Sequence, residues 1–290
     1  MVEQLGIEPH AKLEAALRTV SPDVVFICTP PVHHVHQALQ AIRAGAHVFV
    51  EKPLSDRLDH IGELASEARS RTRVVQVGYN LRFHPGLLKL KQLLNEGVIG
   101  KVLWAHVEAG QYLPDWRPWQ DYRESYTARR YLGGGILLDG SHEIDYVLWL
   151  FGRPKEVVCM AGKVSSLEVD VEDCASVLLR MAEACQVEIH LDFVQRGYSR
   201  SCKIAGEKGT LIWDFTTREV KLYSADTNDW ESFPYNFEPN DMYVAEIQHF
   251  FNCIASGDAP AVDLEQAAAV LKLVIAAKVS AEKGCWEILR

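Results

Sequence analysis

HVFVEKPLS, residues His47 to Ser55, is the stretch from which the rest of the chain is read. Its β-branched and aromatic residues, bounded by Gly45 and Pro53, fit a short buried strand of a parallel sheet. The strand runs directly into Glu51 and Lys52. An acid and an amine therefore stand at its carboxyl end, where open α/β sheets bind their ligands. Pro53 removes a backbone donor and restricts the residue before it, which holds Lys52 in an extended geometry. The plainer reading of Glu51 and Lys52 is a surface salt bridge at a strand end. The surrounding sequence decides between the two.

Outward from this stretch the elements alternate. Lys12 to Thr19 has helical spacing and ends at Ser21-Pro22-Asp23, Val24 to Pro31 is an apolar strand closing on Thr29-Pro30, and His33 to Ala44 is a helix stopped by Gly45. Beyond Pro53, Asp56 is placed to cap a helix over Leu58 to Arg69, and Val74 to Tyr79 is a further strand followed by Asn80-Leu81-Arg82-Phe83. Strand, helix, strand, helix, strand means a parallel doubly wound sheet. Pro85 opens a helix through Leu94, and residues 1–98 form the first expected unit.

From Lys101 the pattern changes to alternating strands with Gly or Asp turns, the mark of an open antiparallel sheet with helices on one face. Gly133-Gly134-Gly135 precede a helix expected from about Leu138 to Leu150, and helices over Asp241 to Ala255 and Leu264 to Glu282 close the chain. The expected fold is therefore α/β plus α+β, with residues 99–290 as the second unit.

Composition fits this picture. The chain has 290 residues, a length for two domains or one large one, and its 48% hydrophobic and 24% charged residues are those of an ordinary globular protein. A net charge of -9 with no long basic run leaves no nucleic-acid footprint. The seven cysteines include no CxxC pair, which suits free thiols in a reducing compartment. The opening MVEQLGIEPH has no basic and apolar leader pattern, and the apolar run Ala267 to Val279 is broken by Lys272 and Lys278. A cytoplasmic protein with no membrane span is expected. His33, His34 and His36 do not share one helical face, and no cysteine or carboxylate set completes a site, so no metal is expected.

A doubly wound sheet that binds a dinucleotide should open with a strand, a GxGxxG turn and an acid about 20 residues later. That signature is not found, and Gly133 to Gly135 have the wrong spacing and place. The strand at Val24 to Cys28 is then expected to have an apolar, unpaired edge. The expectation is that the gene starts further upstream, or that another chain completes a shortened relative.

The motifs taken together resemble the glucose-fructose oxidoreductase and inositol dehydrogenase family (Gfo/Idh/MocA). They are Thr29-Pro30 with His34, Glu51-Lys52-Pro53, Gly78-Tyr79-Asn80-Leu81-Arg82-Phe83, and GGGILLDGSHEIDYVLWLFG from Gly133 to Gly152, in the family's order. YLPDWRPWQDYRES, from Tyr112, is similar to a branch associated with bacterial surface-sugar synthesis. The resemblance implies an incomplete Rossmann-like dinucleotide-binding domain followed by a substrate-binding and oligomerisation domain. It also implies hydride transfer between NAD or NADP and a sugar, polyol or sugar nucleotide, in a homodimer or homotetramer.

By the same resemblance Lys52 hydrogen-bonds the reacting oxygen, His142 is the general acid/base, and Asp139 assists it. Many relatives place this Asp four residues before the His rather than three, so Asp145 is a second candidate for the role. Thr29, Pro30, His34, Glu51, Lys52, Pro53 and Asn80 are the implied cofactor contacts. Two other outcomes stay open: a shortened paralogue that acts as a binding or assembly protein, and an NAD-dependent glycosidase.

The chemistry is consistent. Oxidising a secondary alcohol removes the hydroxyl proton as hydride leaves carbon; a histidine can take that proton and a lysine stabilises the developing alkoxide. The competing reading of His142 is a helix-start histidine satisfied by nearby backbone. Tyr112, Trp116, Trp119, Tyr122 and Tyr126 form an aromatic loop that either walls a sugar site or packs on a neighbouring subunit. Tyr112, Trp116, Trp119, Tyr122, Arg130 and His142 are the expected substrate contacts; Arg129 and Arg130 could meet a phosphate or carboxylate, although a solvated helix face is the more frequent outcome for such a pair.

Overall fold

A computed structural model describes residues 8–183 and 185–289. Residues 1–7, the first part of MVEQLGIEPH, lie outside them. The first unit comprises α1 (Leu13–Val20), β1 (Val24–Ile27), α2 (His34–Arg43), β2 (His47–Glu51), α3 (Ile61–Ser70) and β3 (Val75–Gly78). The strands pair in parallel in the order β1-β2-β3, with Val25 beside Val48 and Val50 beside Val77. Val48, Val50 and Val77 are fully buried, which is why this segment shows a continuous apolar run instead of alternation. Helix α3 starts later than expected. Asp56 spends its carboxylate on Arg57 at 2.9 Å, and His60, in a left-handed conformation, precedes the helix.

The free edge of β3 is closed by the C-terminal segment, through Val77 N–H donating to the Val262 carbonyl at 3.1 Å. Among the described residues no strand pairs with the outer edge of β1. There Phe26 is 41% exposed and packs on Phe250 and Phe251.

The second unit follows α4 (Pro85–Asn95). Its elements are β4 (Val102–Gly110), α5 (Leu113–Trp116), α6 (Ile136–Asp139), α7 (Ser141–Phe151), β5 (Pro154–Gly162), β6 (Cys174–Met181), β7 (Gln186–Asp192), β8 (Ser199–Gly206), β9 (Gly209–Asp214), β10 (Glu219–Ser224), β11 (Asp229–Pro234), α8 (Pro239–Ser256), α9 (Leu264–Lys283) and β12 (Glu287–Ile288). The sheet order is β11-β10-β9-β8-β4-β7-β6-β5-β12. This sheet is mixed rather than purely antiparallel, because β4 pairs with β7 in parallel. Alternation reports which face is covered and carries no information about strand direction. The β4–α7 connection is a long crossover, and it returns the meander β5-β6-β7 alongside β4 in the same direction.

Ala105, Val107, Ile189 and Leu191 face the covered side and are buried, while Trp104, His106 and Glu108 face outward and are only part-buried. Helix α9 packs on β5 and also touches α3 and β3, so it joins the two sheets. No helix among the described residues is long and apolar enough to cross a membrane.

Candidate active site

The carboxyl ends of β1, β2 and β3 face the carboxyl ends of β4 and β7 across a cleft of about 780 Å³. The parallel pairing of β4 with β7 puts Gly110 and Asp192 at this same edge, and β8 starts there with Ser199 and Arg200. Helices α6 and α7 supply the floor. The helix read as continuous is broken at Gly140, where an added Cβ would sit 2.8 Å from the Ile136 carbonyl and 2.9 Å from a Leu191 methyl. Asp139 and His142, on either side of the break, both line the cleft.

Lys52 enters from the end of β2. Its ammonium donates to the Asp139 carbonyl and to Asp139 Oδ1, each at 2.8 Å, across 87 residues of sequence. The pair is not a surface bridge, since the Lys52 side chain is 15% exposed and that of Asp139 only 3%. Burial opposes both charges, and their mutual attraction prevails. The Asp139 carboxylate holds the Lys52 ammonium above its ordinary pKa, and Lys52, with Thr127 and Tyr126, holds Asp139 below the carboxylate range. Tyr126 donates its hydroxyl to Asp139 Oδ1 at 2.9 Å, and burial, reinforced by Asp139, pushes its pKa up to about 12.

His142 stands edge-on to Tyr79, with ring centroids 5.7 Å apart, and its Nδ1 is buried without a hydrogen-bond partner. The helix-start reading, in which nearby backbone satisfies the ring, does not fit this atom. Burial, and then the charges of Lys52 and Arg200, push its pKa well below the ordinary histidine value. The imidazole is therefore neutral at neutral pH and keeps a lone pair available to accept a proton.

Glu143 and Arg200 form a second charged pair on the cleft, with Arg200 Nε 2.9 Å from Glu143 Oε1. The N–H is not aimed at the oxygen, so the contact is a close approach of charges, and neither atom has a hydrogen-bond partner. Asp145, the alternative to Asp139, is committed elsewhere: it takes a two-point hydrogen bond from Arg82 at 2.9 and 2.8 Å in the core.

Of the expected cofactor contacts, Thr29, Glu51, Lys52 and Asn80 line the cleft. Pro31, not Pro30, reaches it, and Pro53 is buried and does not line it. His34 also lies behind the wall. Its ring nitrogens sit 2.8 Å from the Pro53 carbonyl and 2.6 Å from the Thr29 carbonyl, tying the ends of β1 and β2 together. The Gly133 to Gly135 turn binds no phosphate with its amides, which donate to the carbonyls of Arg130, Arg129 and Thr127.

In the aromatic loop, Trp116 and Tyr126 reach the cleft. Trp119 is 81% exposed and lies away from it. Tyr112 stacks under the Arg196 guanidinium at 3.6 Å, Tyr122 accepts from Glu168 N–H at 3.1 Å, and Arg130 is spent on Asp170. These four expected substrate contacts are structural or solvent-facing here. Glu143, Arg200, Arg117, Tyr198 and Asp192 line the cleft and were not anticipated.

The profile described as "Oxidoreductase family, NAD-binding Rossmann fold" matches residues 1–79, and the GFO/IDH/MocA C-terminal domain matches residues 87–212. Myo-inositol 2-dehydrogenase of Thermotoga maritima is 28% identical over 297 residues, covering 98% of this chain and 85% of its own. An inositol 2-dehydrogenase of Salmonella typhimurium is 28% identical over 82% of this chain and 68% of its own. Among solved structures, a levoglucosan dehydrogenase in complex with NADH and levoglucosan superposes with a TM-score of 0.88 at 21% identity, covering 99% of this chain and 85% of that one. At that identity the likeness speaks for the fold.

Followed by NMR against pH, the His142 ring is expected to stay neutral through the range near 6.5 where an exposed histidine titrates. Lys52→Met removes one neighbouring cation, so it moves the His142 midpoint upward. A midpoint at the ordinary value, or one indifferent to Lys52→Met, would contradict the geometry above.

Proposed function

This chain belongs to the GFO/IDH/MocA family of NAD-binding oxidoreductases, and on that premise we propose that it moves a hydride between NAD or NADP and a hydroxyl-bearing carbon of a sugar, polyol or sugar nucleotide. The observation that carries the reading is the meeting of a buried ammonium and a neutral imidazole, Lys52 and His142, on one cleft at the carboxyl ends of the parallel strands.

The residues present fit the nicotinamide half of the cofactor. Thr29, Glu51 and Asn80 line the cleft at the ends of successive parallel strands, beside Lys52. A glycine-rich turn for the diphosphate is not found in the sequence, so no residue is assigned to that half. When bound, the nicotinamide supplies the hydride acceptor. The protein's part is proton and charge management. His142 takes the hydroxyl proton, and Lys52 stabilises charge growing on the same oxygen. Asp139 keeps Lys52 charged and aimed, and Tyr126 steadies Asp139.

The first unit then serves the cofactor and the second the substrate. The outward face of the large sheet supports self-association into a homodimer or homotetramer. It presents Met160 at 78% exposure and Leu178 at 45% on adjacent strands, with Val158 directly opposite Leu178. The free thiols support a reducing, cytoplasmic setting.

Lys52→Met is expected to lower kcat/KM for NAD-linked oxidation of myo-inositol or an aldose by about 100-fold or more, with NAD binding retained in calorimetry. Undiminished turnover, or a folded chain that binds neither NAD nor NADP, would refute the proposal; the second result would favour a binding or assembly role. In sedimentation, the wild type should run as a dimer or tetramer and Leu178→Glu as a smaller species. A monomeric wild type removes the interface.

A further inference from the structure

Arg200 is the second residue of β8 and lies opposite Ala109 of β4. It shares parity with the buried Cys202 and Ile204, so it points to the covered side of the sheet, where a charge is costly. Glu143, fully buried on α7, offsets that cost by approaching its Nε edge at 2.9 Å. The carboxylate itself is closed to a ligand. The Arg200 side chain as a whole retains 20% exposure and lines the cleft, and among the described residues its Nε has no hydrogen-bond partner, which leaves the guanidinium placed to meet a ligand there.

The carboxylates near this end are already engaged. Asp139 is held by Lys52, and Asp192 accepts the backbone N–H groups of Val194 at 2.8 Å and Gln195 at 2.7 Å. A second guanidinium, Arg117, also lines the cleft and has no carboxylate partner among the described residues. The unspent charge at this end is therefore cationic. A planar guanidinium fork pairs two-point with a carboxylate or phosphate far better than with single hydroxyls. Its position next to His142, whose neighbour in sequence is Glu143, puts that contact beside the reacting carbon.

We propose that Arg200, held by Glu143 and with Arg117 on the same cleft, is the subsite that selects substrates carrying an anionic group, a carboxylate or a phosphate, on the sugar. This rests on the sugar oxidoreductase reading above and narrows its substrate class to acidic sugars. Glu143 acts as a positioning residue, since the ligand meets only the guanidinium.

The test is calorimetry on the full chain with NAD present, at constant ionic strength, using D-glucose, D-glucuronate and D-glucose 6-phosphate. At least one acidic sugar should bind about tenfold or more tighter than glucose, and the tighter acid identifies carboxylate or phosphate. In Arg200→Gln the preference should fall to within about twofold. Because that variant strands Glu143 as a lone buried charge, the neutral double variant Arg200→Gln/Glu143→Gln is measured beside it and should lose the preference equally. Glucose binding as tightly as both acids, or a preference that survives in the double variant, overturns the anion subsite and leaves the sugar reading standing. Binding of none of the three sugars overturns both.

Discussion

The contact between Lys52 and Asp139 organises this molecule. One partner ends a strand of the parallel sheet and the other ends the short helix that floors the second unit. Taking two charges out of water costs several kcal/mol per ion unless geometry and further hydrogen bonds repay it. Here the ammonium also reaches the Asp139 carbonyl, and Tyr126 donates to the carboxylate. The same contact fixes where the two units meet and sets the electrostatics of the cleft.

Two buried cation–anion pairs, Lys52 with Asp139 and Arg200 with Glu143, stand near His142. Burial lowers the His142 pKa most, and the charges of Lys52 and Arg200 lower it further. A neutral, unpartnered base beside a fixed ammonium is suited to taking a proton while negative charge develops on the oxygen that loses it. The broken helix at Gly140 is part of this arrangement, because the close approach of Leu191 leaves no room there for a side chain.

Much of this was legible in the sequence because hydrophobic period and turn residues act locally. The α/β alternation and the strand that runs into Glu51 and Lys52 followed from that, whereas Asp139 and His142 rested on the motif resemblance; all three side chains line the cleft. What was not legible depends on which segments meet. Strand direction in the large sheet is invisible to alternation, so the parallel β4–β7 pair was missed. Residues of the aromatic loop share a composition and not a location: Trp116 turns inward while Trp119 stays in solvent. Arg200 could have been found. The strand read as Ser201 to Ala205 extends from Ser199 to Gly206, and the longer span puts a charged residue on the apolar parity. His34, an expected cofactor contact, sits between two backbone carbonyls that only the folded chain brings to it.

The most direct test of this account is a double-mutant cycle on the unfolding free energy, in urea, with wild type, Lys52→Met, Asp139→Asn and the double variant. A buried pair predicts a coupling energy above about 1 kcal/mol, with the double variant less destabilised than the sum of the singles. Additive effects would mean that Lys52 and Asp139 do not meet in the folded protein, and the site built on them would fall.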